Sequence, residues 1–356
     1  MASSSNISSE PAPEPGFGSQ IQALVNGFAA EPVWANYLQA REAVLRMMDD
    51  WGGLGREEGP SAYWRQEMEG FDYLFDASPL VVGRLREHCH HLTGVKSFDY
   101  RPHHVHLQAD FVRKYGVLLA AGGEGLFVPE PSALGGFGFD VGPGLANIDT
   151  LKFFEVLIGL RKAGVLPDFQ GPDAPRRTVV EIGSGWGGFA HQFKTLCPRS
   201  TYVCVDLPPT LLFSIVYLKT LFPEARALVY GEPGFEAKLG ELEAYDFVFL
   251  PHWYFPRMQR ARIDLAINMV SFQEMTTDQV EGYAQVLRRL GCPAIYSLNR
   301  DRSKHNAELS TVSEALGRHY QLRQVEVLDE PYTQIAARKR PRELAVTGYR
   351  HLYGRA

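Results

Sequence analysis

Cysteine is scarce in this sequence, and the few cysteines present are scattered. Four occur in 356 residues, at Cys89, Cys197, Cys204 and Cys292, and no two have the Cys-x-x-Cys spacing. This distribution argues against a disulfide framework and against a cysteine-based zinc site, and it fits reduced, buried thiols. We therefore assign no function to the cysteines.

Long apolar runs and an excess of basic residues are also lacking. No run approaches the ~20 apolar residues that span a bilayer, and residues 1–16 do not carry a basic segment followed by an apolar one. The net charge is −5, whereas nucleic acids and membrane surfaces attract basic faces. We expect a cytoplasmic protein with neither a nucleic-acid nor a membrane partner.

The length of the chain predicts two parts, because 356 residues exceed what one small core organises. Residues 1–18 are rich in Ser, Pro and Glu and are predicted to be a disordered tail. Residues 19–121 are predicted to form a helical N-terminal domain and residues 122–150 a connecting loop rich in Gly and Pro. Residues 151–356 have the pattern of an α/β domain.

Helical periodicity dominates the N-terminal part. One helix is expected from Glu31, with Pro32 in its first turn and Gly52-Gly53 ending it, and others over residues 62–75 and 79–92, the last capped by Ser78. No repeat or known motif occurs in this part. Its expected roles are a lid over the site, a wall of the substrate pocket or a dimer face, and the dimer face would make the protein a homo-oligomer.

Two groups of histidines lie in the same part. His88, His90 and His91 fall near a predicted helix C-terminus, where imidazoles complement the helix dipole, so we assign no metal to them. Residues 101–106 contain three more histidines between helices. These are either exposed loop residues or ligand contacts, and both interpretations stay open.

The α/β domain opens on a glycine-rich turn. Residues 178–182 form an apolar, largely β-branched run that suits a buried strand, and Gly183, Gly185 and Gly188 follow with the GxGxxG spacing of dinucleotide sites. Glycines let the backbone turn sharply and approach a bound small molecule closely. The spacing alone is a weak signal for any particular ligand.

Two acids narrow the choice of ligand. Glu181 lies at the carboxyl end of the strand, where a negative charge would repel a pyrophosphate but could hold the ammonium of an amino-acid ligand. Asp206 ends the next apolar run, about 20 residues after the turn, where the ribose hydroxyls of an adenosyl group would lie. Together they favour S-adenosylmethionine.

Strands and helices alternate through the rest of this domain. Strands are expected near residues 202–207, 246–250, 264–268 and 294–298, and an antiparallel pair near residues 322–328 and 344–349 closes the sheet edge. Such alternation predicts a mostly parallel sheet with helices on both faces and ligands beyond the carboxyl ends of the strands. Glu181, Asp206, His252 and residues 271–274 then meet at one rim.

The carboxyl-terminal half resembles the sugar O-methyltransferase family of class I S-adenosylmethionine-dependent enzymes, found among natural-product and polysaccharide tailoring enzymes. The resemblance lies in Glu-x-Gly-x-Gly-x-Gly from Glu181, in residues 205–208, and above all in Asn268 with the Ser-Phe-Gln-Glu-Met loop of residues 271–275. It implies the class I methyltransferase fold, a Rossmann-like α/β sheet with an antiparallel edge. It also implies methyl transfer from S-adenosylmethionine to a sugar hydroxyl, leaving S-adenosylhomocysteine. The cofactor-binding residues expected on this basis are Glu181, Gly183, Ser184, Gly185, Gly187, Asp206, Leu207, Pro251, Asn268 and Ser271.

Methyl transfer to a hydroxyl requires alignment and a base that takes the acceptor proton. Plant-type O-methyltransferases carry a histidine in the loop after the fourth strand, where this sequence has Gln273. Because glutamine is no useful base, the neighbouring Glu274 is the first candidate and His252 the second. Gln273, Asn299 and His305 are predicted to hydrogen-bond the sugar.

Three alternatives accompany this interpretation. A divalent cation chelated by carboxylates and two sugar hydroxyls would also activate the acceptor, but no clear set of oxygen ligands lies on the same rim. A nicotinamide-dependent sugar oxidoreductase would tolerate Asp206 but leaves Glu181 facing a pyrophosphate. A non-catalytic module would keep the fold for assembly and bind no cofactor.

Overall fold

The computed structural model describes residues 16–54, 62–171, 173–301, 311–328 and 348–356. Within them the α-helices are α1 Phe17–Ala29, α2 Pro32–Gly52, α3 Ala62–Glu69, α4 Pro79–Val82, α5 Leu85–His88, α6 His90–Thr93, α7 Gln108–Leu118, α8 Ile148–Lys162, α9 Gly188–Leu196, α10 Pro208–Leu221, α11 Phe235–Leu239, α12 Thr277–Arg289 and α13 Val312–Gly317. The strands are β1 Phe139–Asp140, β2 Leu145–Ala146, β3 Arg177–Ile182, β4 Ser200–Asp206, β5 Ala227–Val229, β6 Phe247–Pro251, β7 Leu265–Met269, β8 Ala294–Arg300, β9 Gln321–Gln324 and β10 Tyr349–Arg355.

The central sheet has the strand order β5-β6-β4-β3-β7-β8-β10-β9. The strands from β5 to β8 in this order are parallel, and β10 runs antiparallel to both β8 and β9. The predicted architecture, a mostly parallel sheet with an antiparallel edge and helices on both faces, is confirmed. The strand order reverses beside β3, with β4 on one side and β7 on the other, and parallel α/β sheets bind ligands at such a crevice.

The two faces of the sheet build two hydrophobic cores. Val179 contributes to one core and Val180 to the other, because successive residues of a strand face opposite sides. Helices α8, α9 and α10 supply the first core, and α11, α12 and α13 the second. Strands covered on both faces must be apolar throughout, which explains the continuous apolar runs of the sequence.

The N-terminal helices pack on the first of these cores. Tyr37, Val44 and Met47 of α2 are buried in the same hydrophobic cluster as residues of α8 and α10. The Tyr37 hydroxyl donates to the carbonyl oxygens of Leu74 at 2.8 Å and Phe75 at 3.0 Å. A continuous apolar contact therefore joins the helical part to the sheet.

The N-terminal part differs from its prediction in three places. The helix expected over residues 62–75 is shorter, since α3 ends at Glu69 and Asp72–Asp76 form a 3₁₀-helix. The single helix expected over residues 79–92 is wrong, since the segment forms α4, α5 and α6. Arg84 leaves the helical conformation, with φ −122° and ψ 26°, between α4 and the α5 turn that carries the buried Arg86. The third difference is α1, which begins at Phe17 inside the predicted tail.

Capping groups at helix starts follow the predicted pattern. Ser78 Oγ accepts the Val81 N–H at the start of α4. At the start of α12, Thr276 accepts the Gln279 N–H while the Gln279 side chain accepts the Thr276 N–H, as a capping box does. These local signals depend on neighbouring residues alone, so they can be recognised without tertiary information.

The antiparallel edge predicted at the carboxyl end is confirmed as β9 and β10, but the bounds predicted for its second strand, residues 344–349, overlap β10 only at Tyr349. Residues 344–347, the start of the second expected strand, lie outside the described residues, and β10 extends from Tyr349 to Arg355.

In the described part of the chain, no helix is both long enough and apolar enough to cross a membrane.

Candidate active site

A cavity of about 510 Å³ opens at the carboxyl ends of the parallel strands. Segments that follow β3, β4, β6 and β7 line it, together with residues of α3, α6 and α8. The predicted site residues on its surface are Glu181, Gly183, Ser184, Gly185, Asp206, Leu207, His252, Ser271, Gln273 and Glu274. The cavity thus gathers residues from four strand ends and from the N-terminal helices.

The turn after β3 adopts a backbone that favours glycine. Gly183, Gly185 and Gly187 have φ of 76°, 55° and 84°, in the left-handed region that other residues rarely adopt. Gly183 also faces the loop after β7, where an added Cβ would lie 2.1 Å from Ser271 Oγ. A side chain at Gly183 would push apart the two loops that flank the crevice.

Asp206 is held by backbone N–H groups at the end of β4. One carboxylate oxygen accepts from the Gly185 N–H and the other from the Leu207 N–H, each at 2.7 Å. Burial raises the pKa of Asp206 to about 7, although the two N–H donors lower it. The carboxyl group is fixed beside the glycine turn, and further lone pairs remain for the hydroxyls of a ligand.

Glu181 is buried at the end of β3. Its Oε2 accepts a hydrogen bond from the Tyr202 hydroxyl at 2.8 Å. Burial, with a smaller contribution from the nearby charge of Asp206, raises the pKa of Glu181 to about 8 against the lowering effects of Tyr202 and Lys152. Because an opposite charge favours the ionised carboxylate, a bound ammonium would lower this pKa.

Glu274 connects the sheet rim to the N-terminal helical part. Its carboxylate accepts a hydrogen bond at 3.0 Å from the indole N–H of Trp64 in α3. Burial raises the pKa of Glu274 to about 8, whereas the bond from Trp64 lowers it. Thr276 rather than Glu274 caps α12, and Glu274 lines the cavity.

Asn268 and Asn299 belong to a buried network behind the cavity, not to its surface. Asn268 Nδ2 donates to the Ile182 carbonyl at 2.7 Å and to Ser271 Oγ at 2.5 Å. Asn268 Oδ1 accepts from Asn299 Nδ2 at 2.7 Å. Since these amides bond within the protein, we correct the cofactor contact predicted for Asn268 and the substrate contact predicted for Asn299 to bracing roles.

Gln273 lines the cavity, yet its side-chain amide bonds to the protein. Oε1 accepts from the Arg300 N–H at 2.9 Å, and Nε2 donates to the Tyr349 hydroxyl at 3.4 Å. These bonds tie the loop after β7 to the end of β8 and the start of β10. Gln273 thus has a positioning role in the structure, and the sugar contact predicted for it stays a prediction.

The remaining predicted residues take other places. Pro251 ends β6 and Gly187 precedes α9, and neither is among the residues that line the cavity; their cofactor contacts stay predictions. His252 does line it, with its ring edge-on to Trp51 of α2 at a centroid distance of 4.8 Å. His305 lies outside the described residues.

The loop after β7 contains a strained backbone position. Val270 has φ 67°, a conformation that costs about 1–3 kcal/mol for a residue other than glycine. Its N–H donates to the Leu298 carbonyl at 2.8 Å, and Ser271 Oγ donates to the Ile182 carbonyl at 3.1 Å. These bonds hold the strained loop against both neighbouring strands, as is common at ligand sites.

Several cavity residues carry no signal in the local sequence. They come from distant helices and from the antiparallel edge, and they include Trp64, Glu67, His90, His91, Lys152, Thr210, Arg300 and Tyr349. The adjacent histidines were the one available signal, and their position near a helix end suggested a different role. Packing of α3, α6 and α8 over the strand ends decides these contacts.

His90 has a defined tautomer. Its Nδ1 lies 2.9 Å from the Glu87 carbonyl oxygen, and a carbonyl can only accept a hydrogen bond, so Nδ1 carries the hydrogen. In the neutral ring the lone pair is then on Nε2. His90 lines the cavity, and its Nε2 is a hydrogen-bond acceptor in this tautomer.

Two further side chains fit a ligand with an amino-acid end and an adenosyl end. Lys152 contributes a cation close enough to Glu181 to lower its pKa. Thr210 Oγ1 is buried on the cavity surface and has no hydrogen-bond partner among the described residues, and such groups usually bond a ligand or water.

The described residues contain no group of three or more His, Cys, Asp or Glu able to hold a metal ion.

Comparison with known proteins matches no protein-family model and no curated protein. Among solved structures, the chain is similar to WbdD, with 13% identity and a TM-score of 0.34 over 58% of this chain and 39% of that one. It is also similar to the methyltransferase domain of bacterial CtHen1, with 11% identity and a TM-score of 0.36 over 59% of this chain and 100% of that one. A geranyl diphosphate methyltransferase in complex with SAM has 13% identity and a TM-score of 0.36 over 57% of this chain and 88% of that one. The chain spans less than half of WbdD, and likeness at this level is limited to the fold.

Proposed function

We propose that this chain is an S-adenosylmethionine-dependent O-methyltransferase that acts on a sugar hydroxyl, in a glycosylated natural product or a polysaccharide precursor. The observation that carries the proposal is the meeting of Glu181, the left-handed glycine turn and Asp206 on one cavity. A carboxylate such as Glu181 attracts the ligand ammonium, and glycines let the backbone approach the ligand closely. A second carboxylate such as Asp206 accepts hydrogen bonds from the ribose hydroxyls. The cavity volume also lies within the usual range of small-molecule sites, about 300–1,000 Å³.

Different residues would bind different parts of the cofactor. Glu181 would hold its ammonium and Asp206 its ribose hydroxyls, with Lys152 placed for the carboxylate. Thr210 would supply a hydroxyl to the adenosyl part. When bound, S-adenosylmethionine supplies a methyl group on a positively charged sulfur.

The acceptor half must orient a hydroxyl and take its proton. Glu274 is the first candidate base, because its pKa of about 8 is close to neutrality and its Trp64 bond fixes the carboxyl group. His252 remains the second candidate. His90 is a third, since its Nε2 holds the lone pair of the neutral ring.

The sugar assignment rests on the resemblance of the loop at residues 271–275 to the sugar O-methyltransferase family. Hydroxyl-bonding side chains such as Glu67 and His90 support an acceptor rich in hydroxyls. Trp64, from the N-terminal helical part, supports a role for that part as a wall of the substrate pocket. A dimer face on the same part stays a prediction.

Calorimetric titration with S-adenosylhomocysteine and with NAD tests the cofactor. We expect binding of S-adenosylhomocysteine alone, and its loss of affinity in Asp206→Ala, with folding checked by circular dichroism. Binding of NAD instead would favour the sugar oxidoreductase, and binding of neither would favour an assembly module. Mass spectrometry of glycosylated acceptors, with and without a chelator, then detects the methyl gain and any metal dependence.

A further inference from the structure

Arg300 places an uncompensated cation on the cavity. The residue ends β8, and its guanidinium lies over the Tyr349 ring, 4.6 Å from the centroid. Its Nε is buried and has no hydrogen-bond partner among the described residues. A buried guanidinium nitrogen without an acceptor is costly unless a ligand supplies one.

No carboxylate of the described chain neutralises this guanidinium. The cavity is lined by the carboxyl groups of Glu67, Glu181, Asp206 and Glu274, but none forms an ion pair with Arg300. Burial holds the pKa of Glu181 and of Glu274 at about 8, which leaves both largely protonated at neutral pH. The positive charge of Arg300 is therefore available to a ligand.

The guanidinium is held in place by its neighbours. Tyr349 is its cross-strand partner in the β8–β10 pairing, and Gln273 bonds both residues, accepting the Arg300 N–H and donating to the Tyr349 hydroxyl. Gln273 follows β7 and precedes Glu274, the first candidate base. An anion on Arg300 would thus be fixed relative to the reacting end of the cavity.

Arg300 lies away from the cofactor half of the cavity, the part that contains Glu181, Asp206 and the glycine turn. Its strand, β8, is the second neighbour of β3, and strands are spaced by about 4.8 Å. The backbone of β8 is therefore about 10 Å across the sheet from that of β3, which leads into the glycine turn. Lys152, by contrast, lies near Glu181.

We propose that Arg300 binds an anionic group of the acceptor, a carboxylate or a phosphate, so that the substrate is an acidic sugar or a sugar phosphate ester. A guanidinium matches the oxygens of either group through parallel N–H bonds. This inference rests on the proposed methyltransferase function and narrows its substrate class. The neutral sugar with the same hydroxyls would bind more weakly.

The test compares glucuronate, glucose 6-phosphate and glucose as probes of the protein saturated with S-adenosylhomocysteine. Affinities are measured by calorimetry for the wild type, Arg300→Gln and Arg300→Lys. Arg323→Gln is the matched control, because Arg323 also lies over a tyrosine ring of the same sheet, at 5.1 Å from Tyr353, but does not line the cavity.

We expect at least one anionic probe to bind the wild type about tenfold to a hundredfold more tightly than glucose, the range of a charge-assisted contact. Arg300→Gln should abolish that preference, Arg300→Lys should retain part of it, and Arg323→Gln should leave it unchanged. Preference for glucuronate identifies a carboxylate and preference for glucose 6-phosphate a phosphate. Equal binding of all three probes to the wild type, or no binding of any, would overturn the proposal.

The same titrations separate this inference from the function on which it rests. Affinity for S-adenosylhomocysteine should be equal in the wild type and Arg300→Gln, because Arg300 is assigned to the acceptor. A wild type that does not bind S-adenosylhomocysteine would contradict the methyltransferase proposal. Normal cofactor binding by the wild type with a large loss in Arg300→Gln would place Arg300 in the cofactor half and contradict only the anion site.

Discussion

Binding of S-adenosylhomocysteine should release a proton from Glu181. The free protein buries this carboxyl group, and burial raises its pKa to about 8. In the proposed complex the carboxylate faces the ligand ammonium, and a neighbouring positive charge favours the ionised form. The proton held in the free state is then lost on binding.

The structure sets the size of the effect. With a pKa of about 8, Glu181 is roughly nine-tenths protonated at pH 7, so about 0.9 proton should leave this carboxyl group per ligand bound. The sign follows directly: the free state binds more protons than the complex, so affinity must rise with pH. Between pH 6 and 7 the apparent Kd should fall about tenfold, with a smaller fall above pH 8.

Calorimetry at pH 7 in buffers of different ionisation enthalpy measures the number of protons released. Glu181→Gln keeps an acceptor for the Tyr202 hydroxyl but cannot ionise, so it should lower the release by about one proton. Glu274→Gln is the matched control, since its carboxyl group also has a pKa of about 8 and lines the same cavity. Its proton release should equal that of the wild type.

Proton release that is the same in Glu181→Gln and the wild type would refute the assignment of Glu181 to the ammonium. Release that disappears in Glu274→Gln instead would place the amino-acid end of the ligand beside the loop after β7. Either result would leave the fold unaffected but would require a different orientation of the cofactor.

Three further predictions concern single residues. Glu274→Gln should slow turnover by about 10²- to 10⁴-fold. It should also remove the rise in rate as the pH approaches about 8, where the carboxylate of Glu274 forms. Unchanged activity would exclude Glu274 as the base. Asp206→Ala should weaken S-adenosylhomocysteine binding by about tenfold or more in calorimetry, and an unchanged Kd would exclude the ribose contact. Arg86→Met should reduce the free energy of unfolding by about 3–5 kcal/mol in urea titrations. The substitution leaves Glu130 and Asp149 buried without the ion pairs that Arg86 makes with them at 2.6 and 3.2 Å. A change below about 1 kcal/mol would contradict this.

The buried ion pairs of Arg86 illustrate why part of the helical region could not be predicted. Its partners lie in the Gly- and Pro-rich segment and in α8, and its guanidinium lies 3.9 Å from the Trp186 ring centroid in the glycine turn. The periodicity of apolar residues over residues 79–92 predicts one helix. This pattern contains no information about ion pairs between a buried charge and carboxylates far away in the sequence. Tertiary contacts replaced that helix with three short ones.

Asn268 illustrates the same limit within the site. A motif places this residue at a strand end beside the ligand crevice, but it does not say which way the amide points. In the structure the amide bonds to Ile182, Ser271 and Asn299, so it braces the loops and does not reach the cavity. The direction of a side chain depends on partners from other strands.

What the sequence determined by itself is the set of features with local causes. Apolar runs specify strands buried on both faces, glycines permit the left-handed turn after β3, and the spacing from Glu181 to Asp206 brings two acids to adjacent strand ends. Only the tertiary structure decided which distant residues complete the cavity, among them Trp64 beside Glu274 and Arg300 over Tyr349. Such contacts depend on how whole helices and the sheet edge pack, and no short stretch of sequence encodes that geometry.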